Sequence, residues 1–490
     1  MSSSISTVGG GGAPASNAPI MDSMARRGCT SSTCASASDR NSTAVVSSRH
    51  YPAGSSGSRP LEPIVIQTEG GGHCSAGSHP QASGVEIQPQ AWPGPARLEQ
   101  LADRSFAMLH KLFERERVRE MAERTVGIAS LEGWVERETL SGHKLSVRCF
   151  GARTLHIVAG NSPMVSASTI IRNAILRSDA IIKAPSNDPF TALALAETMC
   201  DFAPDHPITK HLTVAYWRGG DEKFEQQLYS PDNIEKIVAW GGFAALKHVT
   251  RYIQPGLEQI SLDPKLSATI IGSEAFTNPE SMRNAAQRLA VDIGALNQVA
   301  CVNSRVSYVM SGTDEAGVER LKEFGQLVYD AMVKLPPQTS TTPKAYDQGL
   351  KEQVDALRLS DDWYTVIGGQ QGEGAIIVSH LPEPVDFANM LNDRTGNLVP
   401  VDAIEGFTGA INSYTQTVGV YPESLKDQLI DILPLYGAQR IVSLGYATAS
   451  LMVGPNEGIE LIRRMGKWIS NEVATPDRVA PPWSPEAFRT

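Results

Sequence analysis

Cys301, in the stretch ALNQVACVNSRVSYVM, is the residue of this chain best suited to nucleophilic chemistry. A thiolate is the reactive form of cysteine and needs access to a cleft; small and polar flanking residues leave that access open. The competing reading is an inert core cysteine, the commoner fate of a single Cys. Cys149 and Cys200 stand in apolar, element-like contexts and take that second reading. The chain's cysteines fall at 29, 34, 74, 149, 200 and 301, with no CxxC and no regular spacing, so neither a metal site nor a disulfide framework is indicated.

Other stretches offer polar groups where a strand runs into a helix. AGNSP, Ala159 to Pro163, can aim an amide side chain and backbone N–H groups into the crevice of an open α/β sheet, although such a turn is more often structural. IIKAPSNDP, Ile181 to Pro189, delivers Lys183 at a strand end, where it meets ribose or phosphate or else is a solvated strand-end charge. In the same stretch, Asn187 or Asp188 caps the next helix. VAWGG, Val238 to Gly242, puts paired glycines before a helix, which lets backbone N–H groups approach a phosphate. Paired glycines at that position are common without any ligand. No GxGxxG follows the first strand, so a conventional dinucleotide fingerprint is missing.

The elements that must position these residues alternate. Strands are expected at Leu155 to Ala159, Ala180 to Lys183, Leu212 to Trp217, Ile237 to Trp240 and Ala268 to Ile271. Helices are expected between them at Val165 to Leu176, Phe190 to Asp201, Asp221 to Leu228 and Phe243 to Tyr252. That alternation predicts a doubly wound parallel sheet, a nucleotide-binding domain over 95–273. A second α/β region, 274–440, opens on a helix with Leu289, Ile293 and Leu296 on one face and runs into Cys301 and the strand Val306 to Met310. Residues 440–473, which return to the first domain, hold the strand IVSLGY and a helix ending near Trp468. A charged helix from Leu98 to Thr125 opens the globular part, with Leu98, Leu101, Phe106, Leu109 and Leu112 as its packing face.

Composition narrows the classes. The chain has 490 residues, 41% of them hydrophobic and 20% charged, which suits a folded protein of more than one domain. A net charge of -10 gives no general pull toward nucleic acid or anionic lipid. No apolar run is long enough to span a membrane and no secretory centre stands at the N-terminus, so a cytoplasmic protein is expected. Residues 1–90, rich in Ser, Gly, Ala and Pro, read as a disordered tail. Their few acids among several arginines fit a transit peptide less well than a dispensable tail or a start at Met21 or Met24.

Taken in order, HIVAGNSP, IIKAPSNDP, VAWGG, DPKLSATII, NQVACVNSRVSYV, SYTQTVGVYP and GPNEGIELIRRMGKWI make the chain similar to the aldehyde dehydrogenase superfamily. It most resembles the superfamily's LuxC-type long-chain fatty acyl-CoA reductases, over roughly residues 100–473. The resemblance implies an α/β fold with a parallel-sheet cofactor domain, a catalytic domain carrying the nucleophile and a small oligomerisation element, in a homo-oligomer.

By the same resemblance, Cys301 is the nucleophile, Asn161 the oxyanion-stabilising amide and Lys183 the adenosine-ribose lysine, with Pro185 and Ser186 beside it, while Gly241 and Gly242 form the pyrophosphate turn. The implied cofactor is NADPH, with NADH as the alternative. The implied substrate is acyl-CoA or an acyl carrier thioester, with an acyl-protein synthetase as the partner enzyme. Hydrolytic aldehyde dehydrogenases place a water-activating Glu in a Glu-Leu-Gly-Gly-Lys motif, and the corresponding stretch here is LEQISLDPKLSATII. If Lys265 matches the motif lysine, Ser261 falls at the acid position. Glu258, the nearest carboxylate, is left as candidate acid/base, and the balance tilts toward acyl transfer and away from water activation. The alternatives are an aldehyde dehydrogenase releasing a free acid and a noncatalytic subunit of the same fold.

Overall fold

A computed structural model describes residues 45–46, 109–138, 140, 144–343, 346–449, 452–473, 480–481 and 483–488. Nearly all of the 1–90 tail and the residues of the opening helix before Leu109 lie outside these. By contact density the chain divides into one unit of Met1–Glu235 with Gly466–Thr490 and another of Lys236–Met465. The division falls well before the boundary at 273 that the element pattern suggested.

In the first unit β1 is Val45–Val46, β2 Val135–Glu138, β3 Lys144–Phe150, β4 Thr154–Ile157, β5 Ala180–Lys183 and β6 Leu212–Ala215. β4, β5 and β6 run parallel, with Thr154 opposite Ala180 and Ala180 opposite Leu212. Ile182 and Val214 on these strands pack with Ile170, Ala192, Ala196 and Met199 from the helices Pro163–Leu176 and Thr191–Phe202. The helix Pro163–Leu176 is capped by Ser162, whose Oγ accepts from the Met164 N–H at 3.3 Å ahead of Pro163. The N-cap position of Thr191–Phe202 is Phe190, with no capping side chain, and of the two residues the sequence offered, Asp188 acts from two positions earlier by accepting from the Thr191 N–H at 3.2 Å. Asn187 Nδ2 instead donates to the Gly160 carbonyl at 3.1 Å, tying the two strand-end loops together. Gly160 has no substitute there, since a Cβ would run into Asn187 and Pro185.

β2 and β3 join β16, Lys467–Val473, in a separate antiparallel sheet ordered β16-β3-β2. Trp468, expected at the end of a helix, therefore lies on a strand facing Cys149. The helix before it is only Leu461–Met465. Of the 440–473 segment, only its last part joins the first unit.

The second unit contains β7 Lys236–Trp240, β8 Glu258–Leu262, β9 Leu266–Ile271, β10 Ser304–Val309, β11 Tyr364–Gly368, β12 Ala375–Ser379, β13 Thr395–Pro400, β14 Thr415–Tyr421 and β15 Arg440–Ser443. β7 and β8 pair in parallel across the helix Phe243–Thr250. The others form a seven-stranded sheet ordered β11-β12-β13-β10-β9-β14-β15, parallel except for the edge strand β11. Neighbouring residues on its strands face opposite cores, as the two-residue repeat of a strand requires. Ile271, Val309 and Leu398 join the helices Pro279–Gly294 and Glu315–Val333 on one side. Ile270, Tyr308 and Val399 join Phe407, Leu425, Leu429 and Leu433 on the other. A parallel sheet covered on both faces reads as continuous apolar sequence without alternation, which is why β12, AIIVS, escaped the strand pattern.

Candidate active site

The helix Pro279–Gly294 does not carry its apolar stripe on to Leu296. Leu296, Asn297 and Gln298 take left-handed backbone, with φ of 54°, 53° and 63°, and Leu296 is 45% exposed. For residues with a Cβ such a conformation costs on the order of 1–3 kcal/mol each, so the surroundings must impose it. They do so through buried amides. Gln298 is fully buried; its Nε2 donates to the carbonyls of Ser304 and Thr395 at 2.9 Å each, and its Oε1 accepts from the Thr395 N–H at 2.8 Å. Asn297 Oδ1 accepts from the Thr341 N–H at 2.7 Å. Asn303 accepts from the Ala300 N–H at 3.1 Å and donates to the carbonyls of Asp292 and Ala295 at 3.0 Å each. Cys301 sits at the crest of this pinned loop.

The strands beneath hold Cys301 by its main chain. Ser267 Oγ on β9 donates to the Cys301 carbonyl at 2.7 Å and accepts from the Thr417 N–H on β14 at 3.1 Å. Burial pushes the Cys301 thiol up, and the charge of Glu457 pushes it the same way. A hydrogen bond from Gln416, the Arg305 guanidinium and the residue's own N–H favour the thiolate against them. Arg440 also bears electrostatically on the thiol.

Glu457, Gln416, Arg305 and Arg440 were missed by sequence reasoning as functional residues. The first two lie within GPNEG and SYTQT, stretches quoted only for their likeness to a family, and no local spacing tells that the folded chain brings them to a cysteine more than 100 positions away. Gln416 Nε2 donates to Glu457 Oε1 at 3.2 Å. Burial raises Glu457 to about 7, Lys265 opposing and Asp263 reinforcing the shift. Asp292, under the same loop, accepts the N–H groups of Gly445 at 2.8 Å and Ala447 at 2.9 Å, and burial raises it to about 6.

Glu258 stands elsewhere. It opens β8 and is clamped by Lys236 Nζ at 2.9 Å and Arg464 Nε at 2.8 Å. Burial pulls its pKa up, but the two cations outweigh it and hold the carboxylate below its ordinary range. A carboxylate kept ionised by two cations is a poor proton shuttle, and Glu258 is not among the groups acting most strongly on the Cys301 thiol, whereas Glu457 is. Ser261 accepts a hydrogen bond from Gln259 Nε2 at 2.8 Å.

In the first unit, Asn161 is exposed on the turn after β4, and Lys183 ends β5 with Pro185 half-buried and Ser186 exposed beyond it. Lys183 Nζ lies 5.2 Å from the centroid of Trp217, whose Nε1 donates to the buried Glu225 at 3.3 Å. Burial lowers the lysine's pKa and Glu225 opposes that. An ammonium half-withdrawn from water beside an aromatic face suits the ribose of a dinucleotide. In the second unit Gly241 ends the β7 turn and Gly242 caps the helix Phe243–Thr250; a Cβ at Gly242 would meet nothing within 4 Å. That open space over the first amides of the helix fits the approach of a pyrophosphate.

Known proteins resemble the chain to different depths. The long-chain acyl-protein thioester reductase of Photobacterium phosphoreum is 30% identical over 322 residues, covering 65% of this chain and 62% of its own. That of Aliivibrio fischeri is 28% identical over 320 residues, covering 65% and 64%. The chain therefore matches less than two thirds of the length of either. A NAD-dependent benzaldehyde dehydrogenase from Corynebacterium glutamicum superposes with a TM-score of 0.55 at 11% identity, over 77% of this chain and 78% of the other. An NADP-dependent glyceraldehyde-3-phosphate dehydrogenase from Bacillus halodurans, complexed with NADP, gives 0.57 at 11%, over 76% and 80%. At that identity the likeness establishes the fold, that of the aldehyde dehydrogenases. The family model for LuxC acyl-CoA reductases matches residues 95–468, and the chain belongs to that family.

Proposed function

We propose that the protein reduces an acyl thioester to an aldehyde, with the acyl group carried on Cys301 and the electrons taken from a nicotinamide cofactor, NADPH in preference to NADH. The observation that carries this reading is the placement of Cys301 beside a strained, amide-pinned loop, where burial and Glu457 raise the thiol and Gln416 and Arg305 oppose them. The activity for which the relatives are named, long-chain acyl-protein thioester reduction, supports it.

In the first step the Cys301 thiolate attacks the acyl carbon, a C–S bond forms to Sγ, and the donor's own C–S bond breaks to release its sulfur as a thiolate. The oxyanion of that step is assigned to the Asn161 amide, by its place in the AGNSP turn, and to the Cys301 N–H. A reduced nicotinamide, when bound, supplies a hydride to the acyl carbon. Cys301 is then expelled as thiolate when the resulting thiohemiacetal collapses to aldehyde. Lys183, with Pro185 and Ser186, is read as the holder of the adenosine ribose, and Gly241 with Gly242 as the pyrophosphate turn. With Ser261 where hydrolytic enzymes keep a glutamate, the reading favours hydride over water as the acceptor of the acyl group.

Acyl-CoA, an acyl carrier or an acylated synthetase would each present the same thioester. The β16-β3-β2 sheet, with Phe150, Ile469 and Val473 exposed, is read as the oligomerisation element. The test is product analysis: acyl-CoA with NADPH should give aldehyde and free CoA in equal amounts. Oxidation of aldehyde to free acid, with no thioester reduction, would replace this reading by the dehydrogenase alternative.

A further inference from the structure

Glu457 occupies backbone that a glutamate ordinarily avoids. It has φ 51°, is followed by Gly458 at 76°, and the two form the tip of a tight turn closed by Asn456 and Ile459, whose N–H and C=O groups exchange bonds of 2.7 and 3.1 Å. Asn or Gly would take the same turn with less strain. Holding a Glu there directs a carboxylate inward, where Oε1 accepts from Gln416 and Oε2 is buried without a hydrogen-bond partner. Gln416 Oε1 is likewise buried and unpartnered. Its amide engages both the Cys301 sulfur and the Glu457 carboxylate. Strain and orphaned buried oxygens each cost stability, and their coincidence at one reactive thiol points to a purpose beyond folding.

Resting on the reading of Cys301 as an acyl carrier, we propose that Glu457 is the proton-transfer group of the site, with Gln416 as the residue that positions it. Glu457 takes the proton from the Cys301 Sγ–H as sulfur bonds to the acyl carbon, then gives it to the departing thiolate as the donor's C–S bond breaks. One proton moves from one sulfur to the other, and the carboxylate ends as it began. The expulsion of Cys301 as thiolate after hydride delivery leaves the sulfur one proton short of its starting state, and one proton taken up from solvent restores the Sγ–H before the next turnover.

The groups facing the pair fit this role. Lys265 and Asp263, from the β8 to β9 connection, bear on Glu457: the lysine favours the carboxylate, while Asp263 disfavours it by its charge and favours it by its backbone N–H. Arg305 and Arg440 also bear on Cys301 and favour the thiolate. The charge of Glu457 disfavours ionisation of the Cys301 thiol, so the pair is suited to holding a single proton between them. Around neutral pH, where the carboxyl sits at about 7, that proton can pass either way.

The test is peptide-resolved alkylation of Cys301 by iodoacetamide across pH, beside acylation by acyl-CoA in single turnover. Glu457→Gln keeps the size and the partner for Gln416 but removes the charge. It should make the thiol ionise more readily, raising Cys301 alkylation at pH 7 by roughly tenfold, while acylation slows by roughly a hundredfold. A merely structural residue would move both rates down together. Gln416→Leu, a second variant, removes a hydrogen bond to the thiolate and should shift the alkylation midpoint the other way, upward. An alkylation profile unchanged by both variants overturns the inference, as does a Glu457→Gln enzyme that acylates at the normal rate. Failure of the wild-type enzyme to take any acyl group onto Cys301 would remove the reading of function, while the alkylation profiles would still report whether Glu457 governs the thiol.

Discussion

The strand-end loops of the first unit and the Cys301 loop of the second both present reactive or binding groups, but they are built by different means. Asn161 and Lys183 stand within a few residues of the strands that carry them, and the loops are tied by a local bond from Asn187 to Gly160. Cys301 depends on partners from far along the chain: Ser267 on β9, Thr395 on β13, Gln416 on β14 and Glu457 beyond β15. A binding loop can be assembled by short-range caps and turns, whereas a thiol that must be both held and electrostatically tuned draws on the whole sheet.

Substitutions can break that contrast, starting with the largest effect. Cys301→Ala should abolish thioester reduction while nicotinamide binding, followed by fluorescence titration, is retained; surviving turnover would remove the nucleophile. Gln298→Leu should destabilise the second unit by roughly 3 kcal/mol in urea unfolding, because three hydrogen bonds are lost in a fully buried place. A change of only a few tenths would mean that the left-handed loop does not need its amide. Asn161→Ala should lower turnover on the order of a hundredfold with little change in stability, as loss of one oxyanion donor does. Unchanged turnover would reassign the AGNSP turn to structure alone.

The smallest effect sharpens the comparison through pH. Asp292 titrates at about 6 in the folded chain, above the value near 4 of an unfolded aspartate. The folded state thus binds the proton more tightly. The stabilisation from this group is full below about pH 4 and is lost as pH rises through 6, at up to about 1.4 kcal/mol per pH unit. Urea midpoints from pH 4 to 7 should show that slope in the wild type and a flatter one in Asp292→Asn. Equal slopes would contradict the placement of Asp292 under the Cys301 loop.

The same contrast explains what was legible in the sequence. The parallel strands β4, β5 and β6, their helices, and the turns bearing Asn161 and Lys183 follow from local pattern, because each βαβ unit repeats a simple switch of hydrophobic period. Leu296 was misread as part of a helix face, since the 3.6-residue repeat continues past Gly294 while buried amides force the chain out of it. Trp468 was misread as helical because its strand pairs with a segment more than 300 residues earlier. Glu258 drew attention by proximity in sequence to a known acid position, and the fold gives it to Lys236 and Arg464. Glu457 was invisible because its significance lies only in long-range contact.

The most direct measurement is the intact mass of the protein after incubation with a long-chain acyl-CoA and no cofactor, followed by peptide mapping. A gain of one acyl group per chain, located on Cys301 and discharged on adding NADPH, is the expected result. An unchanged mass, or an acyl group mapped to Cys200 instead, would contradict the assignment of Cys301 as the acyl carrier.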